Sequence, residues 1–501
     1  MNQHQKSEKN GKGQASSTDD AKGSVSGITG LSALELSKVI KNRDVSCVEV
    51  MKAYLTRIEN VNPIHNAIVS LRDQEELLSE AGQKDAELEK GIYHGWMHGF
   101  PHAVKDLAAT KGIPTTMGSP LLAGMVTAHD AIIVERIRKA GAIIIGKTNA
   151  PEFGLGSQTY NTVFGTTTNA YDPKLCAGGS SGGAAVALAA RMVPVADGSD
   201  MMGSLRNPAA YNNVIGFRPS FGRVPFGPAS DIFVQQLGVE GPMGRSVKDT
   251  AMLLSTMAGF DVRTPLSIKE DPMQFAGSLQ TDLRGKKVAW LGDFNGYLPM
   301  EAGILTMCEK SFEHFEGLGC RVEAATIDYP MEKLWQTWLT LRHWMIAGIA
   351  GPFYDSIENR DKLKPELIWE IEGGLALKGK DVYSASIDRS AWYQAVADLF
   401  TRYDYVLLPS AQVFPFDATL HWPREVAGKS MDTYHRWMEV VVPGTLSGCP
   451  IANVPVGFNS QGLPMGMQIM GPATQDLRVL QMAHAYEQAS GWTKRIPPAH
   501  A

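Results

Sequence analysis

The sequence predicts an α/β fold in one large domain, and three observations support this prediction. Short strand patterns alternate with helical patterns along most of the chain, which is the arrangement typical of layered α/β proteins. No Pro/Gly/Ser-rich linker divides the chain after residue 28. The 501 residues, 44% of them hydrophobic, are enough to bury a large core without disulfides or metals.

The individual elements follow from local patterns, taken here in chain order. Segments 32–35 (SALE) and 46–49 (SCVE) are capping boxes, each followed by helical periodicity, so they predict two N-terminal helices separated by a turn at 41–45. The later elements are predicted from apolar runs and helical periods: strand 99–105, helix 130–140, strand 142–145, strand 288–291, a helix near 301–317, and strands 321–325, 406–408 and 451–456.

Composition limits the function classes. Residues 1–27 are polar and lack the apolar stretch of a signal peptide, so they predict a disordered tail before a domain spanning 28–501. A formal net charge of −5 without a basic stripe gives no indication of nucleic-acid binding. The sequence contains no run of 18 apolar residues, so no membrane-spanning helix is predicted. Five scattered cysteines without a CxxC pair favour reduced thiols in a cytoplasmic protein.

The most informative stretch for function is 176–209, which holds two serines in glycine-rich turns, Ser180 and Ser204. Glycines beside a serine let the backbone approach a ligand closely. No histidine lies between the serines, so upstream Lys105 is considered as the base. On these residues alone, an acyl-transfer site and purely structural Gly/Ser turns both remain open.

Local geometry adds three expectations. Period-2 alternation places Lys105 and Asp106 on opposite strand faces, so the lysine can enter a site without pairing with its neighbour. Ser180 and Ser181 precede an alanine-rich helix, whose N-terminus favours negative charge. Successive backbone N–H groups of residues 201–204 could line an oxyanion hole.

Two other motifs are interpreted as structural. Residues 141–148 match the phosphate-loop pattern GxxxxGK[ST], but a helical pattern precedes them, their middle is strand-like, and Asn149-Ala-Pro follows. His98 and His102 are four residues apart in a turn-and-strand segment and are interpreted as ordinary histidines. No metal or cofactor is therefore expected.

The chain resembles the amidase signature enzymes over about residues 30–490. The strongest match is GGSSGG at 178–183, followed by the serine of GSLRNPA at 203–209. Further motifs occur in the expected order: HGFPHAVKD at 98–106, GKTNAPEFGLG at 146–156, GFRPSFGRVP at 216–225, GPMGRSVKD at 241–249 and GCPIANVPVGFNSQGLPMGMQIMGP at 448–472. The resemblance implies a central mixed β-sheet flanked by helices on both faces.

The resemblance also implies roles for individual residues. Ser204 would be the nucleophile, Ser180 the bridging serine held through a cis Gly179–Ser180 peptide, and Lys105 the base, with its pKa lowered from about 10.4 to about 8. The remaining positions have supporting roles: Ser181 would hydrogen-bond the lysine, backbone groups of Met201, Met202, Gly203 and Ser204 would form the oxyanion hole, and Asp200 and Arg206 would brace this loop.

One departure from the family pattern concerns the pocket. The family usually has Thr-Gly where this chain has Met201-Met202. Segment 335–437, expected to be mostly helix and loop, contains seven tryptophans. Together with the two methionines they could form one wall of an apolar substrate pocket, although ordinary core packing of the tryptophans is the alternative.

The function predicted by this reasoning is a serine hydrolase that cleaves amide-type C–N bonds through an acyl-enzyme. The substrate is expected to be a small-molecule amide, anilide or carbamate, with aryl acylamidase and esterase activity also compatible. The alternatives are the glutaminase subunit of a tRNA amidotransferase and a non-catalytic scaffold with this fold. No nucleic-acid or membrane partner is expected, and a homodimer is compatible with the sequence. The natural substrate and the oligomeric state do not follow from the sequence.

Overall fold

A computed structural model describes residues 25–498. Its helices are α1 (Val25–Gly30), α2 (Ala33–Lys41), α3 (Cys47–His65), α4 (Gln74–Glu89), α5 (Ile132–Lys139), α6 (Gly182–Ala189), α7 (Arg206–Tyr211), α8 (Val247–Met257), α9 (Ile304–Lys310), α10 (Phe312–Gly317), α11 (Met331–Asp355), α12 (Ile357–Arg360), α13 (Pro365–Leu375), α14 (Gly379–Arg402), α15 (Val442–Ser447) and α16 (Asp476–Ser490).

The strands are β1 (Ile68–Val69), β2 (Pro101–Lys105), β3 (Ile143–Thr148), β4 (Tyr160–Asn161), β5 (Gly165–Thr166), β6 (Ala196–Asp200), β7 (Ile215–Arg218), β8 (Val239–Gly244), β9 (Lys287–Trp290), β10 (Arg321–Ala324), β11 (Tyr405–Pro409), β12 (Glu425–Val426), β13 (Lys429–Ser430), β14 (Ile451–Phe458) and β15 (Pro464–Met470). The tail predicted for residues 1–27 lies outside the described residues, except that 25–27 begin α1 and are therefore helical.

The N-terminal helices begin as the capping boxes predict. The Ser32 hydroxyl accepts a hydrogen bond from the Glu35 N–H at 3.2 Å, and the Glu35 carboxylate accepts one from the Ser32 N–H at 2.9 Å. The same reciprocal pair joins Ser46 and Glu49 at the start of α3. These bonds satisfy N–H groups that have no partner within the helix, so both predicted helix starts are confirmed.

The centre of the fold is one mixed sheet with helices packed against it, as predicted. Its eight strands run in the order β10-β9-β11-β15-β14-β7-β8-β6. Strands β10, β9 and β11 are parallel to one another, and the remaining neighbours are antiparallel. Four strands of this sheet, β6, β7, β8 and β15, were not predicted from the sequence, and the helix expected near 301–317 is divided into α9 and α10.

A smaller sheet, in the order β1-β3-β2, lies beside the edge strand β6. In this sheet β2 and β3 are parallel. The Lys105 N–H, at the end of β2, donates to Asp197 Oδ2 on β6 at 3.1 Å. The two sheets therefore meet where the Lys105 side chain leaves its strand.

The segment that resembles a phosphate loop is the buried strand β3. Lys147 is fully buried, and its Nζ donates to the Ala108 carbonyl at 2.6 Å and the Thr110 hydroxyl at 2.7 Å. The lysine thus stabilises a neighbouring loop, and the structural interpretation of residues 141–148 is confirmed.

Helices α11 to α14 form a helical layer in the segment that connects β10 to β11. In this layer α11 packs on α13 and α14. Four tryptophans of the 335–437 segment are fully buried: Trp335, Trp338, Trp392 and Trp437. Within the part of the chain that the structure describes, no helix has both the length and the apolar character needed to cross a bilayer.

The approach of α6 to β3 provides a test of the fold. A Cβ on Gly183 would lie 2.4 Å from the Asn149 nitrogen and 2.6 Å from the Ala67 carbonyl oxygen. Because backbone atoms cannot swing aside, we expect Gly183→Ala to lower the free energy of unfolding by about 2 kcal/mol or more. Gly348→Ala, in α11 with no atom within 4 Å of the added Cβ, should stabilise by up to about 1 kcal/mol. Urea titration of both variants measures the difference, and equal effects would contradict the close approach.

Candidate active site

Lys105 lies at the centre of a group of serine hydroxyls. Its side chain is 1% exposed. Nζ lies 2.8 Å from the Ser180 hydroxyl, 2.8 Å from the Ser181 hydroxyl and 2.9 Å from the Ser199 hydroxyl. An ammonium has three N–H donors, so three hydroxyls satisfy it without a carboxylate in direct contact.

This environment changes the basicity of the lysine. Burial lowers the pKa of Lys105 from 10.5 to about 7, although the charges of Asp197, Asp200 and Glu240 act in the opposite direction. Removing an ammonium from water disfavours its charged form, and neutral hydroxyls compensate for only part of that loss. Near neutral pH a substantial fraction of Lys105 is therefore an uncharged amine that can accept a proton.

Asp106, the next residue, has separate partners. Its carboxylate accepts hydrogen bonds from the Thr116 hydroxyl at 2.6 Å and the Thr116 N–H at 3.1 Å. Lys105 and Asp106 thus point to different surroundings, as the strand alternation predicts. The nearby carboxylate is instead Asp197, which lies 2.9 Å from His102 Nε2 and accepts the Lys105 N–H.

Sequence reasoning missed two residues of this group, Asp197 and Ser199. They are two positions apart on β6, so their side chains share one face of the strand. Residues 196–200 read Ala-Asp-Gly-Ser-Asp, which lacks the apolar alternation used to recognise strands. Recognition of β6 as an edge strand would have placed both side chains toward Lys105.

Ser180 and Ser181 lie at the start of α6, as predicted. The peptide bond between Gly179 and Ser180 is cis, which confirms the expectation from the family resemblance. Both serines are buried. The Ser181 N–H donates to the Ser204 carbonyl at 3.2 Å, so the two glycine-rich turns that the sequence singled out are in direct contact.

The turn that holds Ser204 is braced by a buried charge cluster. Arg206 donates to both carboxylate oxygens of Asp200, each at 2.9 Å. Arg218, which the sequence reasoning did not assign, adds a bond to Asp200 Oδ1 at 3.1 Å. Burial disfavours ionisation of Asp200, but the two guanidinium groups outweigh it and hold the pKa of this carboxyl well below its usual range.

The backbone donors of this turn are not equivalent. The N–H of Gly203 donates to Asp200 Oδ1 at 2.9 Å, so it is already engaged by a carboxylate. Among the described residues, the N–H groups of Met201, Met202 and Ser204 have no acceptor. Three of the four N–H groups predicted to form the oxyanion hole are therefore unengaged, whereas that of Gly203 has an acceptor within the protein.

Ser180 and Ser204 open onto one cavity. Its walls are formed by Leu107, Phe153, Gly154, Leu155, Gly156, Ser157, Ser180, Ser199, Met201, Met202, Ser204, Arg342, Ile346 and His435. The two methionines line the cavity as expected, but none of the tryptophans does. The 335–437 segment contributes Arg342, Ile346 and His435 instead. Four of its seven tryptophans are buried in the core, and Trp344 and Trp369 are exposed.

No direct hydrogen bond joins the Ser180 and Ser204 hydroxyls among the described residues. Hydrogen bonds between catalytic groups are often absent or long before substrate binds. Both hydroxyls line the same cavity, so the contact between them depends on the rotamers of the two serines.

The histidines near β2 do not share a site. His98 lies 3.0 Å from the Lys84 carbonyl through Nε2, while His102 contacts Asp197. Ligand-type atoms of Glu87, His94 and His98 do lie within 4.8 Å of one another. However, Lys84 Nζ lies 2.9 Å from Glu87 Oε2 and already balances its charge.

Comparisons with known proteins identify similar sequences and structures. The family model described as Amidase matches residues 49–480. An acylamidase of Rhodococcus erythropolis is 32% identical, with 93% of this chain and 97% of that protein covered. A glutamyl-tRNA(Gln) amidotransferase subunit from Nitrosococcus oceani is 31% identical, with 94% and 99% covered. The crystal structure of a bacterial aryl acylamidase, described as an amidase signature enzyme, is 30% identical with a TM-score of 0.86, covering 93% and 98%.

The charge cluster below Ser204 provides a second test. Arg206→Met leaves the buried Asp200 with one of its two counter-charges, so we expect a loss of about 3–5 kcal/mol in the free energy of unfolding. Arg284→Met removes the same kind of ion pair, with Asp282, at an exposed site, and should leave stability essentially unchanged. Chemical denaturation of the two variants makes the comparison, and similar stabilities would contradict the bracing role of Arg206.

Proposed function

This chain belongs to the amidase family, and we propose that it is a serine hydrolase that cleaves the amide, anilide or carbamate C–N bonds of small molecules through an acyl-enzyme. One observation supports this proposal above the others. A fully buried lysine with a pKa of about 7 lies 2.8 Å from the hydroxyl of Ser180. Ser180 in turn shares a cavity with Ser204.

The acylation step uses these residues in sequence. Neutral Lys105 accepts a proton from the Ser180 hydroxyl while Ser180 accepts the proton of Ser204. The Ser204 oxygen attacks the substrate carbonyl carbon, and the carbonyl oxygen gains negative charge. The unengaged N–H groups of Met201, Met202 and Ser204 are placed to stabilise that charge, a contribution worth about 3–4 kcal/mol per donor in well-studied hydrolases.

Collapse of this intermediate requires the protons to return. Ser180 delivers one to the leaving nitrogen, and the C–N bond breaks to release the amine. Water then attacks the acyl-enzyme, with the same Lys105–Ser180 relay accepting its proton, and Ser204 is regenerated as the acid product leaves. Esters fit the same sequence because an alcohol is an easier leaving group than an amine.

The cavity supports small apolar substrates. Leu107, Phe153, Met202 and Ile346 provide apolar surface around the serines. Its one charged lining residue, Arg342, is already paired with Glu370. A glutamine substrate has both an ammonium and a carboxylate, which need partners of opposite charge when buried. The lining therefore favours an acylamidase-type substrate over the glutaminase alternative.

The non-catalytic alternative is disfavoured by the same geometry. A buried lysine by itself can be structural, as Lys147 is. Lys105 differs because it contacts the Ser180 hydroxyl, and Ser180 lines the same cavity as Ser204. Activity is therefore the simpler explanation.

We expect the purified chain to hydrolyse a short-chain 4-nitroanilide without any partner protein. Ser204→Ala should lower kcat/KM by at least about 10⁴-fold because no acyl-enzyme can form. A fluorophosphonate probe should label Ser204, as read by peptide mass spectrometry. The matched control is Ser157→Ala, which changes another cavity serine that lies outside the Lys105 group and should keep both labelling and most activity.

Two outcomes would contradict the proposal. Release of ammonia from glutamine with no anilide, amide or carbamate turnover would favour the glutaminase alternative. Labelling at another serine, with full activity in Ser204→Ala, would remove the nucleophile assignment.

The base gives a separate prediction. Because the neutral form of Lys105 is the active one, kcat/KM should rise with pH through about 7 and level off above it. Lys105→Ala should lower kcat/KM by about 10³-fold and abolish this rise. Lys147→Ala, which removes the buried lysine of β3, should retain the pH profile if it folds. A rise that persists in Lys105→Ala would assign the titration to another group.

A further inference from the structure

Two polar residues of the cavity have no part in the mechanism above. Arg342 and His435 are 3% and 2% exposed, and both line the cavity with the serines. Apart from four serines, they are the polar side chains of the lining, and such groups usually fix the orientation of a ligand. Their hydrogen bonds show what they can still bind.

Arg342 is anchored through two of its three nitrogens. Its Nε donates to Glu370, and Nη2 donates to the Tyr434 hydroxyl at 2.6 Å. Within the described residues, the third nitrogen, Nη1, contacts only the Met201 sulfur, at 3.4 Å. A thioether is a weak acceptor, so a buried guanidinium nitrogen beside the Ser204 turn lacks a strong partner.

His435 is held in one tautomer. The indole N–H of Trp338 donates to His435 Nε2 at 3.1 Å. Burial, reinforced by the charge of Arg342, holds the pKa of His435 well below its usual range, so the ring is neutral. The ring proton is therefore on Nδ1, which is buried and has no partner among the described residues. An unpaired buried donor is unfavourable and is a candidate for a ligand contact.

We propose that Arg342 Nη1 and His435 Nδ1 form a donor subsite that binds a neutral oxygen acceptor, such as a second carbonyl, in the substrate. This inference rests on the proposed function and adds a substrate class to it. A neutral acceptor is expected because Glu370 already balances Arg342, and a buried carboxylate would have no counter-charge of its own.

The acceptor belongs to the acyl part of the substrate. The leaving nitrogen receives its proton from Ser180, so the leaving group lies on the Ser180 side of Ser204. Arg342 contacts Met201, at the other end of the turn. The subsite thus faces the acyl chain, beyond the carbonyl under attack.

The test compares 4-nitroanilides of equal chain length: hexanoyl, 4-oxohexanoyl and 5-oxohexanoyl. At least one oxo substrate should have a kcat/KM about tenfold above that of the hexanoyl anilide, the effect expected of a hydrogen bond to a charged donor. In His435→Phe, and in the charge-matched double variant Arg342→Met with Glu370→Gln, this ratio should fall toward 1. Because the ratio is internal to each enzyme, a general loss of activity does not alter it.

The control is His484→Phe, at a buried histidine that does not line this cavity, which should keep the wild-type ratio. A wild-type ratio of 1 for both oxo substrates, or a ratio unchanged in both variants, would overturn the subsite. Preference for a carboxylate at the same distance, in the succinic or glutaric acid mono-4-nitroanilide, would overturn the neutral acceptor. Absence of hexanoyl anilide hydrolysis by the wild type would instead overturn the proposed function, and the subsite with it.

Discussion

The burial of one lysine among hydroxyls is the constraint on which the site depends. A carboxylate in contact with Lys105 would keep the side chain protonated. Burial without any hydrogen-bond partner would strongly destabilise its ammonium form. Three serine hydroxyls give it hydrogen bonds but little charge compensation. A fall in pKa from 10.5 to about 7 corresponds to about 5 kcal/mol less stability for the ammonium form relative to the amine.

Much of the surrounding fold is needed to maintain that balance. The small sheet places Lys105 against β6, and the cis peptide and α6 hold Ser180 and Ser181 on its other side. The nearby carboxylate of Asp200 does not contact the lysine Nζ, because it forms ion pairs with Arg206 and Arg218. Those ion pairs fix the Ser204 turn without supplying a counter-ion to the lysine.

The sequence predicted the groups with a local signature and missed those defined by packing. Lys105, Ser180 and Ser204 stand in distinctive glycine-rich or family motifs. In the structure Ser180 and Ser204 line one cavity, and Lys105 contacts Ser180 behind it. Strands β6 and β8 were missed because Ala-Asp-Gly-Ser-Asp and Val-Glu-Gly-Pro-Met-Gly have no apolar alternation. Their strand conformation comes from pairing with each other and with β7, which are contacts distant in sequence.

The same reason explains two features of the site that the sequence did not reveal. A run of four backbone N–H groups does not reveal that Asp200 has already engaged the one from Gly203. Tryptophan content likewise does not indicate which side of a helix faces a cavity, and α11 directs Trp335 and Trp338 to the core while Arg342 and Ile346 reach the cavity. Each outcome depends on tertiary packing rather than on residue type.

The walls of the cavity come from two separate parts of the chain. Residues between Leu107 and Ser204 form one side together with the reacting groups, whereas Arg342, Ile346 and His435 come from the later helical layer and the segment after β13. Under the proposed mechanism the reacting serines belong to the first wall, so substitutions in the second wall would change which compounds bind more than the chemistry. Gene duplication followed by substitution in that wall would give paralogues that differ in the compounds they accept.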